Sequence, residues 1–249
     1  GAQAFSPWDS QYQRLNVDDD FSGVIQVAQD GEIQFRGAYG LAQRRYKLNN
    51  MYFTAFNLGS AREFFAQLAL ARLVEQGKLD RALVGAWHAN SIWEEKLSEL
   101  MPQHSPWEVV TWEILRPAQM SQSAYYYLDQ VPAQAATGYT TTKTGQMVEN
   151  VYAILGEGLK PQLFSALHDI NRFWTVLGGG KFLKPETVEA LMASYRVQSQ
   201  SPGFHRVEGK APGVQVVFGG NLKKALSITV LSNGEEGASS IFDQLVSYS

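Results

Sequence analysis

Two kinds of hydrophobic spacing divide the chain. Residues 21–29 and 32–41 are strand-like runs on either side of Asp30-Gly31, a dipeptide that closes two-residue type I′ hairpins. Gly37 and Gly40 interrupt the second run, where close backbone approaches are expected. Helical spacing then takes over. Phe64, Leu68, Leu70, Leu73 and Val74 recur as on one face of an amphipathic helix, and Gly77 stands where a left-handed stop is wanted. Ser60-Ala61-Arg62-Glu63 spells a capping box at its start, with the Ser60 hydroxyl accepting from the amide of residue 63 and Glu63 reaching back. A carboxylate in that first turn also suits the helix dipole.

The same spacing predicts helices over 92–101, with Trp93, Leu97, Leu100 and Met101 on one face, and over 106–120, ending near Pro117. Another is predicted over 163–177, carrying Leu167, Ile170, Trp174 and Leu177 and stopped by Gly178-Gly179-Gly180. Further helices begin at Pro185 and at Ser239, and Ser6-Pro7 marks a short one near the start. Residues 214–218 and 226–231 alternate as antiparallel strands, with a turn expected at Gly219-Gly220-Asn221.

Composition narrows the classes. The chain has 249 residues, room for one large domain or two small ones, and shows no repeat or linker. A net charge of −3 gives no basic footprint for nucleic acid, and no apolar run approaches the ~20 residues of a membrane helix. Without cysteine there is no disulfide, thiol nucleophile or thiolate metal site. The four histidines lack metal-ligand spacing, so neither metal nor cofactor is expected, and Asp18-Asp19-Asp20 reads as a solvated loop.

Several phrases together resemble the serine β-lactamase and penicillin-binding-protein-like family, close to its class C branch. These are the opening hairpin, the serine-led helix ending in Leu73-Val74-Glu75-Gln76-Gly77-Lys78-Leu79, and Ile114-Leu115-Arg116-Pro117-Ala118-Gln119-Met120. Ala136-Thr137-Gly138-Tyr139, the Asp169-Arg172-Phe173 pattern and Gly209-Lys210-Ala211-Pro212-Gly213 extend the resemblance, which covers 21–80 and 114–246. It implies a mixed α/β (α+β) fold: an antiparallel sheet flanked by helices, with N- and C-terminal strands adjacent. The whole chain is then a single domain, with 81–113 a shortened helical insert and most of the family's helical subdomain deleted. The resemblance also implies a periplasmic or secreted protein, Gly1-Ala2-Gln3-Ala4 being read as an expression remnant and no targeting segment being recognised.

The catalytic positions depart from the family. Ser60 holds the place of the nucleophile, but Glu63 replaces the lysine one turn later. Val207 replaces the histidine or lysine of the third motif, and valine can neither donate a hydrogen bond nor carry charge. A Tyr-x-Asn or Ser-x-Asn tripeptide is missing from the gap before Ile114. His205 could substitute for the histidine only through a shifted register, and Lys143-Thr144-Gly145 is read as a chance match in an edge hairpin. Trp87, Trp93, Trp107, Trp112 and Tyr125-Tyr126-Tyr127 crowd the shortened region. They either cover apolar surface left by the deletion or, through Trp93, Trp107, Trp112 and Tyr126, form a binding face open to homodimerisation. The expectation is a catalytically degenerate member that binds a small molecule or a protein. The alternative is a Ser60-dependent acyl hydrolase or esterase with a non-family base.

Overall fold

The computed structural model describes residues 3–5, 10–90, 92–156, 158–197 and 202–249, so the helix expected at Ser6-Pro7 lies outside the described residues. Six strands make the main sheet: β1 (Gln3–Phe5), β2 (Gly23–Gln29), β3 (Glu32–Tyr39), β4 (Phe204–Ala211), β5 (Val214–Asn221) and β6 (Leu226–Ser232). Their spatial order is β1-β3-β2-β6-β5-β4, and every pairing is antiparallel. Asp30 and Gly31 both take positive φ, 52° and 81°, as the type I′ reading requires. β2 and β6 lie side by side, Ile25 opposite Val230, which joins the two ends of the chain in one sheet.

Both faces of the sheet are covered, so the central strands are buried at nearly every position. Val24, Val216, Phe218 and Leu231 point into the core shared with α1 (Arg62–Glu75). Their chain neighbours Ile25, Val217 and Val230 point the other way, into the core with Ile241, Phe242 and Leu245 of the C-terminal helix, Ala238–Ser247. This is the period-two alternation of a strand between two apolar layers.

The amphipathic reading of α1 is overturned, because ten of its fourteen residues are buried. Its outer side is wrapped by α2 (Trp93–Leu100) and α3 (Pro106–Val110), the latter continuing through one π-helical turn, Thr111–Leu115. A helix packed on nearly every side keeps no broad polar face, and its buried polar side chains are paired, Arg62 with Glu94 and Gln67 with the Tyr195 hydroxyl. Two phrases distant in sequence meet on α4 (Leu167–Gly178). Asp169 accepts from Ser123 Oγ at 2.7 Å and the Gln122 amide at 2.8 Å, and Arg172 donates to the Ala118 carbonyl.

Two sequence boundaries shift. The helix predicted over 163–177 begins at Leu167, because Gln162–Ser165 is a strand paired with Phe56–Asn57 on one side and Ala124–Tyr126 on the other. Ladder hydrogen bonds from two neighbours outweigh local helix propensity. The turn expected at Gly219-Gly220-Asn221 falls instead at 222–225, with Ala225 at φ 50°. Gly219 lies within β5, where a Cβ would sit 2.0 Å from the His205 carbonyl oxygen.

Candidate functional site

Ser60 sits in a single 3₁₀ turn, Gly59–Ala61, between the short strand Phe56–Asn57 and α1. Asn57 holds the turn by accepting from the Gly59 amide at 2.9 Å. The turn nests against β4, the edge strand of the sheet, and both partners are glycine at the contact. A Cβ on Gly209 would meet the Leu58 carbonyl oxygen at 2.1 Å, and one on Gly59 would meet the Lys210 carbonyl carbon at 2.8 Å. The outcome is one hydrogen bond of ordinary length: the Lys210 backbone N–H, facing away from the ladder as edge-strand donors do, donates to Ser60 Oγ at 3.0 Å.

The capping-box reading therefore fails. α1 starts at Arg62 with Ala61 as its cap residue and no side-chain cap, and the Ser60 hydroxyl is committed across to β4. Glu63 does not reach back; its Oε2 accepts from the Glu94 amide at 2.9 Å, binding α1 to the start of α2. A tertiary donor has taken the place of the local one.

Ser60 is exposed at the mouth of a cleft of about 160 Å³, whose walls include Arg62, Glu63, Lys160, Gln162 and Lys210. Behind the wall lies a buried ionic cluster that sequence reading missed. Arg62 is 4% exposed, and its Nε stands 2.7 Å from Glu94 Oε1. The approach is off the hydrogen-bond axis, leaving all three guanidinium nitrogens and both Glu94 oxygens without a hydrogen-bond partner among the described residues despite the close ion pair. Lys160 Nζ approaches the same Glu94 oxygen at 4.0 Å, and the guanidinium lies 5.5 Å from the Tyr125 ring.

Electrostatics follow from this enclosure. Burial pushes the Glu63 carboxyl above its ordinary range; the Glu94 charge adds to the rise, while the Glu94 and Trp93 amides oppose it. Burial, and then the Glu94 charge, also push up the Tyr125 hydroxyl.

Val207 lies on β4 at 2% exposure, packed in the α1 core, where it offers neither charge nor hydrogen bond to the Ser60 cleft. His205 does not replace it. β4 is regular from Phe204 to Ala211, and the five residues from His205 to Lys210 span about 17 Å of strand. Lys143-Thr144-Gly145 occupies the tip of the hairpin formed by Tyr139–Thr141 and Met147–Glu149.

The four aromatics proposed as a binding face are not brought together. Trp93 is wholly buried and donates its indole N–H to the His88 carbonyl at 3.0 Å, so it offers no surface. Tyr126 packs edge-on against Phe164 in a separate small cluster. Trp107 is half-buried, and Trp112 is 42% exposed with its ring edge-on to His104. The sequence offered no signal for Lys160 as a wall of the Ser60 cleft or for Tyr125 as a neighbour of Arg62. The Lys210 amide was within reach as the first residue after Gly209, but attention to side chains hides backbone donors.

Among the described residues no group of His, Asp or Glu side chains could hold a metal ion, and no helix is long and apolar enough to cross a membrane. No protein-family model matches the chain, and neither does any curated protein. Solved structures do match. A penicillin-binding protein from Bacillus halodurans aligns with TM-score 0.78 at 16% identity, over 96% of this chain and 99% of that one. D-amino acid amidase from Ochrobactrum anthropi SV3 aligns with TM-score 0.70 at 13% identity, over 92% and 94%. The class C β-lactamase from Rhodobacter sphaeroides aligns with TM-score 0.64 at 13% identity, over 96% of each. The chain has the serine β-lactamase and penicillin-binding-protein fold.

Proposed function

We propose that this protein is a β-lactamase-like module that binds a small acyl or carboxylate-bearing ligand, or a protein partner, at the Ser60 cleft without hydrolysing it. One observation carries the reading. Among the described residues the Ser60 hydroxyl has a single hydrogen-bond partner, the Lys210 N–H, and there it accepts; its own proton has no acceptor. A serine hydroxyl without a base is a poor nucleophile, and a positioned base is worth roughly 10²–10⁴ in rate. Glu63 is spent on the Glu94 amide, and Val207 is apolar. We read the chain as one domain with 81–113 as the reduced helical insert, in a periplasmic or secreted setting on the resemblance alone. Homodimerisation through the Trp107 and Trp112 side is the partner form of the proposal, and light scattering at two concentrations checks it.

The Ser60–Lys210 contact also favours the second reading, a Ser60-dependent acyl hydrolase. An exposed hydroxyl beside a backbone N–H is the geometry in which an acyl oxyanion would be stabilised. Intact-protein mass after incubation with benzylpenicillin and, separately, an activated ester separates the two, with Ser60→Ala as control. The binding reading expects no adduct on a folded protein. A Ser60-dependent mass increase would overturn it and establish the hydrolase.

A further inference from the structure

At the opposite end of β4 from Lys210, a larger pocket of about 760 Å³ opens between α4, the helix Pro185–Met192 and the turn linking β5 to β6. Its volume is in the range of small-molecule sites. Its interior is apolar, built from Leu177, Val188, Met192, Phe204 and Leu222. Its rim is basic: Arg196, Lys223 and Lys224 line it against one carboxylate, Glu189. None of these three cations belongs to an ion pair among the described residues, although the surface elsewhere pairs its charges repeatedly. His205 stands at the wall with its Nδ1 buried and unpartnered among the described residues, and burial, followed by the Arg196 charge, holds its imidazole below the usual range.

We propose that this pocket is a second ligand site, separate from the Ser60 cleft, for a single-chain anionic amphiphile: an aliphatic tail ending in a carboxylate. The tail occupies the apolar interior. The carboxylate sits at the rim, where Arg196, Lys223 and Lys224 outnumber Glu189 and leave net positive charge, and the His205 ring offers polar contact. The C-terminal end of α4 forms part of the wall and repels anions, which places the head on the basic side rather than deep in the pocket. Apolar volume without the cations would admit any greasy molecule; the unpaired cations select the charge.

Calorimetric titration with decanoate, below its micelle concentration, tests the site. One saturable site is expected, tightening about fourfold for each added methylene from octanoate to decanoate. Decanol should bind more weakly, and decyltrimethylammonium weakest. The Lys223→Glu/Lys224→Glu protein, altered only on an exposed turn, should lose about tenfold in decanoate affinity. Val188→Trp should block binding by filling the interior, and Lys160→Ala in the Ser60 cleft should leave it unchanged. Absence of saturable binding, equal affinity for the cationic amphiphile, or indifference to the lysine reversals would overturn the proposal. Loss of binding in Lys160→Ala would also overturn it, by moving the ligand to the Ser60 cleft. This result is independent of whether Ser60 reacts.

Discussion

Replacing Glu94 by glutamine tests the ionic cluster behind Ser60 most directly. The side chains of Arg62 and Glu94 are 5% and 9% exposed, so neither charge is repaid by water. Removing one partner of a buried pair costs about 3–5 kcal/mol, because the survivor is left charged and desolvated. Two features place this case at the low end. Glu63 is adjacent, accepting from the Glu94 amide, and burial first and the Glu94 charge second raise its carboxyl, so loss of the Glu94 charge favours a Glu63 carboxylate beside Arg62. Lys160, the other cation near Glu94, is 46% exposed and returns to water. A loss of about 3 kcal/mol at ~2–4 °C per kcal/mol lowers Tm by about 6–12 °C. Thermal unfolding by calorimetry, checked by urea midpoints, reads it. The double replacement Arg62→Met/Glu94→Leu removes both charges and should return to within about 1 kcal/mol of the parent, or exceed it. A Glu94→Gln Tm within 1 °C of the parent, estimated against the same scale, or a double variant as unstable as the single, would refute the account.

Gly209→Ala forces a methyl to within 2.1 Å of the Leu58 carbonyl oxygen, so β4 and the Ser60 turn must separate. A cost of about 1–3 kcal/mol and faster hydrogen exchange at the Lys210 amide are expected; unchanged exchange would show that the contact is not tight. For Glu63, burial raises the folded-state pKa above the ordinary 4.5, so the native state holds a proton that the unfolded chain has released. Its contribution is fully present below the unfolded pKa and is lost as pH rises through the folded one. Glu63→Gln should therefore flatten the fall in urea midpoint above pH 4.5, with Asp169, also raised by burial, leaving a residual slope in both proteins. Parallel pH profiles for the two proteins would exclude the shift.

The comparison of Ser60-Ala61-Arg62-Glu63 before and after folding shows where local reading stops. As a tetrapeptide it has every element of a capping box, and the competing partners, the Lys210 and Glu94 amides, lie 150 and 31 residues away. Gln162–Ser165 shows the same limit: the predicted helix extends back to 163 from spacing that begins at Leu167, and two flanking strands claim that backbone. Where the partner was local, the reading held. Asp30-Gly31 needs only its own φ angles, and the runs on either side pair through that turn.

Sequence alone thus determined the hairpins, the main helices, the fold and the absence of a lysine at position 63 and of a histidine at 207, because these depend on residue identity and short-range spacing. Tertiary structure decided the rest: that α1 is packed on nearly every side rather than amphipathic, that Arg62 and Glu94 form a buried pair with Lys160 at its exposed edge, and that the Ser60 hydroxyl faces a backbone amide. Those features arise where chain segments far apart in sequence exclude water together. In that setting the partner a group finds is set by packing, and the energy of a charge by its burial.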